Sequence, residues 1–405
     1  MGKPVTTTGE LVELESRVHV PTYRRLRVAF VRGEGCRLWD AEGKEYLDFL
    51  AGIAVTAIGH AHPRFVEAVC AQVGRLVHVS NLFYTEPQLR VAERLTELLG
   101  WGRVFFANSG AEANEAALKL ARKCAKASGN PAKFRVVSAQ GAFHGRTLGT
   151  LAATPQPAKQ APFAPMPDGF DVVPFGDLGA LDAVVSDDTA AVILEVVQGE
   201  GGVRVAGREF LHAVRAACDR HGALLVFDEV QTGIGRTGRW FAFQHFGVVP
   251  DVITLAKGLG GGLPIGACVA RDEFAEVFAP GDHATTFGGG PAVCAGALAV
   301  LDVIRDEGLV EHAEHMGRYL GEGLARLCEG SPHAVGERGL GLLRALQLAG
   351  PFARRAVEEG LEAGLVVNDV APDALRLAPP LVVGREDVDA LLDRLPGVLE
   401  RAARA

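Results

Sequence analysis

Short apolar runs that end in a tight turn and then give way to a helical pattern recur through the middle of this chain. That alternation limits its fold more than any other feature. Val104-Phe105-Phe106-Ala107 stops at Asn108-Ser109-Gly110-Ala111-Glu112, and Ala223-Leu224-Leu225-Val226-Phe227 stops at Asp228-Glu229. Val252-Ile253-Thr254-Leu255-Ala256 stops at Lys257-Gly258-Leu259-Gly260-Gly261-Gly262. Helical patterns occupy 112–128 and Arg208–His221, and many of the 50 glycines follow the apolar runs. Strands alternating with helices predict an α/β fold with a mainly parallel central sheet.

This regime covers 51–292, predicted to be a large domain; a length of 405 residues normally means two domains. Residues 1–50 differ: 27–31, 36–39 and 44–49 read as short strands separated by the turns Arg32-Gly33-Glu34-Gly35 and Asp40-Ala41-Glu42-Gly43. From 293 a broken helical pattern runs to 328. Then 341–347 reads as strand, 351–363 as helix, 365–368 and Ala374–Leu377 as strands, and 385–405 as helix. Residues 1–50 and 293–405 together are predicted to form a smaller α+β domain, with the N-terminal strands joining it or lying along the boundary.

A formal net charge of −8 argues against a general nucleic-acid binder, although a local pocket can oppose the overall charge. The seven scattered cysteines contain no C-x-x-C pair and read as reduced thiols of a cytoplasmic enzyme. His60 and His62 lack a third neighbouring ligand, so no metal site is expected. No run approaches the ~18 apolar residues that would suggest a membrane span, and the start of the chain has no apolar leader core. Met1-Gly2-Lys3-Pro4-Val5-Thr6 fits the loose myristoylation pattern, but a disordered tail is the preferred reading.

Three turns carry chemistry. Ser109 and Glu112 form an S-x-x-E capping pattern, and a helix N-terminus with a small Ser-Gly-Ala turn offers backbone N–H groups and a positive dipole end to a phosphate. Taken alone, that segment reads better as an ordinary capped helix. Asp228 and Glu229 end an apolar strand on the side where open α/β sheets bind ligands. A partly buried Asp there needs a cationic partner, such as a protonated pyridine nitrogen, yet both acids exposed in a loop is an equal reading. Lys257, at a strand end followed by glycines, suits a Schiff base to an aldehyde cofactor, whereas an isolated Lys-Gly is usually a surface turn. Phosphate turn, acid and lysine in that order are far more specific together. Gly233-Ile234-Gly235-Arg236-Thr237-Gly238 matches the dinucleotide pattern G-x-G-x-x-G, but it neither follows its strand directly nor opens a helix.

At these residues the chain resembles the class-III aminotransferases that use pyridoxal 5′-phosphate (PLP). The resemblance rests on 227–238 with Ala256-Lys257-Gly258, and it runs almost the whole length: Tyr46-Leu47-Asp48-Phe49, Gly59-His60-Ala61-His62-Pro63, Gly141-Ala142-Phe143-His144-Gly145-Arg146-Thr147, Gln198-Gly199-Glu200-Gly201-Gly202, Thr285-Thr286-Phe287-Gly288-Gly289 and Arg376-Leu377-Ala378-Pro379-Pro380-Leu381. Ser80-Asn81-Leu82-Phe83-Tyr84-Thr85-Glu86-Pro87 resembles the acetylornithine branch more than the ornithine branch. The resemblance implies the PLP-dependent transferase fold type I and a set of roles. Lys257 would bind the cofactor aldehyde and carry the proton between substrate and cofactor. Asp228 would keep the pyridine nitrogen protonated. Gln231 would bond the phenolic oxygen; Ser109, Gly110 and Ala111 would hold the phosphate, and Phe143 would stack on the ring. Thr286 would reach the cofactor phosphate of a neighbouring subunit, which makes a homodimer obligatory. Arg146 would bind a substrate carboxylate through its planar guanidinium, and Arg376 the α-carboxylate of 2-oxoglutarate and glutamate. Glu200 would mask Arg376 when the other substrate is bound, so one pocket accepts two substrates without leaving a buried charge unpaired.

Two departures from the family pattern touch none of these roles: Gly290-Pro291 stands where Asn-Pro is usual, and Glu195-Val196 where Glu-Pro is usual. They bear on loop shape near Thr286 and Glu200. The function this implies is ping-pong N²-acetylornithine:2-oxoglutarate amino transfer in arginine biosynthesis, where the acetyl group keeps the product aldehyde from cyclising onto a free amine. Related substrates are N-succinylornithine, N-succinyl-diaminopimelate and a lysine-pathway semialdehyde. The rivals are ornithine or 4-aminobutyrate aminotransferase, a glutamate-semialdehyde aminomutase, an NAD-linked dehydrogenase built on Gly233–Gly238, and a catalytically dead homologue; Arg376 with Glu200 speaks against the mutase.

Overall fold

The computed structural model describes residues 7–404. The apolar runs build one seven-stranded sheet, in spatial order Arg103–Ala107, Gly266–Ala270, Val252–Leu255, Leu224–Asp228, Thr189–Leu194, Arg135–Ala139 and Phe170–Val173. Gly266–Ala270 runs antiparallel to both neighbours, and the pairs between the other strands are parallel.

Side chains alternate between the faces of a strand, so a strand covered on both faces must be apolar throughout. Every residue of Thr189–Leu194, Leu224–Asp228, Val252–Leu255 and Gly266–Ala270 is buried. Leu225 and Phe227 enter one hydrophobic core, and Leu224 and Val226 enter a second on the opposite face, under Ala117, Leu120 and Ala121 of the helix Gly110–Ala127.

The N-terminal strands Phe30–Glu34, Arg37–Asp40 and Glu45–Asp48 form an antiparallel sheet whose last strand pairs in parallel with Leu365–Val366. A separate antiparallel sheet contains Ala334–Leu340, Leu343–Leu348, Ala374–Leu377 and Asn368–Ala371. The helices Leu309–Gly330, Ala353–Glu362 and Arg385–Arg404 belong to this part of the chain.

Several boundaries differ from the sequence expectation. The strand expected at 27–31 forms at Phe30–Glu34, because its ladder extends only as far as its partner, with Phe30 opposite Asp40 and Glu34 opposite Arg37. The segment 365–368 divides between two sheets. Ala334–Leu340 had no expected strand; its two glycines and its charged pair hide the pattern. The helix Thr8–Val18 was likewise unexpected, although Thr7 and Glu10 form a complete capping box. The Met1–Thr6 pattern lies outside the described residues. Among the described residues no helix is long and apolar enough to cross a membrane.

Candidate active site

Register brings the three chemical turns together. Asp228 lies opposite Thr254 in a parallel pair, so the strands carrying Asp228 and Lys257 end side by side. Ala107 lies opposite Gly266, which places the Ser109 turn at the same edge of the sheet. Glycine is needed at 266: a Cβ there would come within 2.2 Å of the Ser109 carbonyl oxygen. Eight of the eleven predicted site residues line one cavity of about 420 Å³: Ser109, Gly110, Ala111, Phe143, Arg146, Asp228, Gln231 and Lys257.

The Ser109 hydroxyl caps the helix Gly110–Ala127 by accepting from the Glu112 amide at 3.2 Å. The Glu112 carboxylate reaches back to the Asn108 amide at 2.6 Å rather than to that of Ser109. Lys257 follows its strand with φ of 41°, a conformation rare for a residue with a side chain. Its ammonium has no hydrogen-bond or ion-pair partner among the described residues. Burial is the main force lowering its pKa; the Glu200 carboxylate opposes that and the Arg376 guanidinium adds to it.

The two consecutive acids are both buried, so the exposed-loop reading is corrected: Asp228 is 4% exposed and Glu229 1%. They do different work because successive strand residues point to opposite faces. Asp228 lines the cavity. It accepts from Asn114 Nδ2 at 2.7 Å and from the Val230 amide at 3.0 Å, and His144 Nδ1 lies 2.8 Å from its Oδ2. Glu229 accepts from the Thr232 hydroxyl and from the Ala242 and Phe243 amides at 2.9 and 2.8 Å, and burial pushes its carboxyl up to about 7.

Arg376 is fully buried on the strand Ala374–Leu377. It pairs with Glu200, and its Nη1 also donates to Gln231 Oε1 at 3.0 Å and its Nε to Asn368 Oδ1 at 3.1 Å. Its Nη2 is buried with no partner. This network stands behind the cavity wall formed by Gln231. Gly199 leaves room for it: a Cβ there would lie 2.2 Å from Gln231 Oε1 and displace that amide. Burial raises the Glu200 pKa, but Arg376 outweighs that and holds it below the usual carboxylate range. Thr286 is not brought to Lys257. It lines a separate cavity of about 870 Å³ with Ser80, Asn81 and Leu82.

Sequence reasoning missed Asn114, His144 and Glu195. Asn114 sits one turn into the capped helix, and its Oδ1 accepts from Thr254 at 2.6 Å, which aims its amide at Asp228. His144 follows Phe143 in a segment already singled out, and that adjacency was a usable signal. Glu195 accepts from the Phe143 and Gly199 amides at 3.0 and 3.3 Å; burial raises its carboxyl to about 7. At the departures, Gly290 begins the helix Pro291–Asp306 without a side-chain cap, and buried Val196 accepts from the Ala206 amide at 3.0 Å. His60 Nε2 lies 2.7 Å from Asp48, and Gly233–Gly238 opens no helix; its Arg236 is buried against the Pro379 carbonyl.

Residues 19–399 match the family model described as aminotransferase class-III. The chain is 51% identical over 396 residues to an acetylornithine aminotransferase of Streptomyces coelicolor, covering 97% of this chain and 96% of that protein. It is 49% identical over 403 residues to an acetylornithine aminotransferase of Mycobacterium tuberculosis, covering 99% and 98%. Among solved structures, the ornithine aminotransferase of Toxoplasma gondii superimposes with a TM-score of 0.94 at 33% identity, covering 99% of this chain and 97% of that one. The acetylornithine aminotransferase of Elizabethkingia anophelis gives 0.88 at 33% identity, covering 98% and 100%. The chain belongs to the class-III aminotransferases.

Proposed function

We propose that this chain is a PLP-dependent N²-acetylornithine:2-oxoglutarate aminotransferase that works in arginine biosynthesis, in the cytoplasm. One observation carries the reading. Asp228 and Lys257 end adjacent parallel strands at one cavity, in a chain 51% identical to a protein named acetylornithine aminotransferase.

The residues present fit PLP. The amides that begin the helix Gly110–Ala127 face the cavity as a phosphate cradle, Lys257 offers an amine without a partner, and Asp228 stands at the same edge. PLP supplies an aldehyde and an electron-withdrawing ring. The lowered pKa of Lys257 favours the neutral amine, the form that condenses with a carbonyl and accepts a proton from the substrate Cδ. Asp228, fixed by Asn114, His144 and the Val230 amide, would hold a proton on the ring nitrogen. Phe143, Gln231 and Arg146 line the same cavity; Phe143 would cover the ring, Gln231 would bond its phenolic oxygen, and Arg146 would hold a substrate carboxylate.

Glu200 serves as a removable partner for Arg376. With an acylated amino donor the ion pair stays closed; with 2-oxoglutarate Glu200 withdraws and the α-carboxylate takes its place. The unpartnered Nη2 supports this, because a second donor of the same guanidinium is already available for bidentate contact.

The working unit is a homodimer. Leu82, Phe83, Tyr84 and Phe287 are 83%, 67%, 93% and 67% exposed around the Thr286 cavity, and large apolar surface of that kind marks an interface. Thr286 then completes the partner's phosphate site. We assign 51–292 to the large domain and 1–50 with 293–405 to the small one.

The test is the visible spectrum of the cofactor-loaded protein on adding N-acetylornithine without 2-oxoglutarate. The visible band is expected to give way to that of pyridoxamine phosphate, and Lys257→Ala to abolish the change. A band that ignores N-acetylornithine but responds to ornithine, N-succinylornithine or 4-aminobutyrate moves the substrate assignment. No visible band after reconstitution overturns the whole reading.

A further inference from the structure

Two cations converge on the ring of Phe143, and only one of them has a role so far. The Arg146 guanidinium carbon lies 5.5 Å from the ring centroid and Lys159 Nζ lies 5.0 Å from it. Neither makes an ion pair or a side-chain hydrogen bond among the described residues. Exposed Arg146 loses little by this, since water solvates it. Lys159 is half-buried. Burial lowers its pKa first and the Arg146 guanidinium second, while Glu200 and Glu195 act in the opposite sense. Those two carboxylates are otherwise engaged, with Arg376 and with the Phe143 and Gly199 amides.

Lys159 is held where it is. It sits on the short turn Pro157–Gln160; Gln156 ties that turn to the loop before Phe143, and Gln160 ties it to the end of the helix Leu148–Ala152. Gln156 Nε2 donates to the Ala142 carbonyl at 2.9 Å, next to Phe143. Gln160 Nε2 donates to the Leu151 and Thr154 carbonyls at 3.0 and 2.9 Å. A half-buried ammonium held against the same ring as the Arg146 guanidinium, with no anion paired to it among the described residues, adds to the positive field around Phe143, which lines the cavity.

We propose that Lys159 is a specificity-determining residue, binding together with Arg146 the carboxylate that each substrate carries at the end remote from its reacting carbon. This rests on the proposed function for the identity of the substrates. N-acetylornithine presents its α-carboxylate there, and 2-oxoglutarate its γ-carboxylate. An ammonium adds a strongly hydrated point charge to the planar fork of the arginine, so the pair grips a carboxylate whose angle differs between the two substrates.

The experiment compares wild type, Lys159→Met and Lys159→Arg as cofactor-loaded proteins in two assays. The first is kcat/KM for N-acetylornithine against N-acetylputrescine, the same amine without the carboxylate. The second is calorimetric binding of glutarate, a dicarboxylate of the same length as 2-oxoglutarate. In Lys159→Met the preference for N-acetylornithine is expected to fall about tenfold, through KM rather than kcat, and the Kd for glutarate to rise about as much. Lys159→Arg is expected to restore most of both. Equal loss on both amines with unchanged glutarate affinity assigns Lys159 a purely structural role and overturns the proposal, as does a methionine variant indistinguishable from wild type. If wild type does not convert N-acetylornithine at all, the proposed function fails, and glutarate binding still decides the role of Lys159.

Discussion

Asp228 and Glu229 are chemically near-identical neighbours with opposite fates, and the strand geometry decides which is which. Asp228 lines the cavity, whereas Glu229 is enclosed and its ionised form is disfavoured. The carboxyl of Glu229, raised from 4.5 to about 7, titrates higher in the folded than in the unfolded chain. Its contribution to stability is therefore fully present below about pH 4.5 and is lost as pH rises through about 7. At about 1.4 kcal/mol per pH unit, the interval amounts to about 3 kcal/mol. Glu229→Ala orphans the Ala242 and Phe243 amides, so wild type is more stable at low pH by several kcal/mol. That gap is expected to narrow by about 3 kcal/mol between pH 4.5 and 7, read by denaturant unfolding of the two proteins at each pH. A gap that stays constant or widens with pH would mean that Glu229 is ionised when folded. At this scale the sequence was partly legible. Polar residues at the ends of apolar strands single out Asp228 and Lys257, and both line one cavity. Which of two adjacent acids enters it depends on strand phase, and nothing local in Val226-Phe227-Asp228-Glu229 sets that phase. His144, Asn114 and Glu195 went unrecognised because their work is to hold other residues, and such partners are defined only once distant segments meet.

At the level of elements, the site depends on the close approach of two of them: the turn that opens the helix Gly110–Ala127 and the first residue of the strand Gly266–Ala270. A methyl group at 266 would meet backbone atoms of Ser109, which cannot swing aside as a side chain can. Gly266→Ala is expected to push the phosphate turn out of place, weakening PLP affinity at least about tenfold and costing about 1–3 kcal/mol of stability. Equilibrium dialysis of the cofactor and the Tm check the two effects, and circular dichroism is expected to stay that of the wild type. The elements differed in how plainly the sequence wrote them. Leu224–Asp228 and Val252–Leu255 are apolar at nearly every position because helices cover both faces, so composition alone reveals them. Ala334–Leu340 is one edge of a four-stranded sheet with intermediate exposure along most of its length, and nothing forces an apolar pattern on it. Its pairing with Leu343–Leu348 supplies what its own sequence lacks.

For the whole molecule, the separation of Thr286 from Lys257 matters most. Ten of the predicted site residues gather around one cavity or its back wall, while Thr286 lines another. Asn81 Nδ2 donates to the Thr285 and Gly288 carbonyls at 3.0 and 3.1 Å, so the exposed loop bearing Leu82, Phe83 and Tyr84 is tied to the loop bearing Thr286. A surface that buries those aromatics against a second copy would carry Thr286 along as a rigid part. No reading of one chain's periodicity bears on this, because a partner's surface lies outside the chain; the expectation comes from the family resemblance alone. The wild type is expected to sediment as a dimer. Phe83→Asp combined with Tyr84→Asp places charge in the apolar contact and is expected to shift the equilibrium to monomers at micromolar concentration. Those monomers should lose PLP on dialysis although Lys257, Asp228 and the Ser109 turn are untouched. Thr286→Ala is expected to weaken cofactor binding while leaving the dimer intact, which separates assembly from phosphate contact. A wild type that sediments as a monomer and retains its cofactor would sever Thr286 from the site and reduce its loop to ordinary surface.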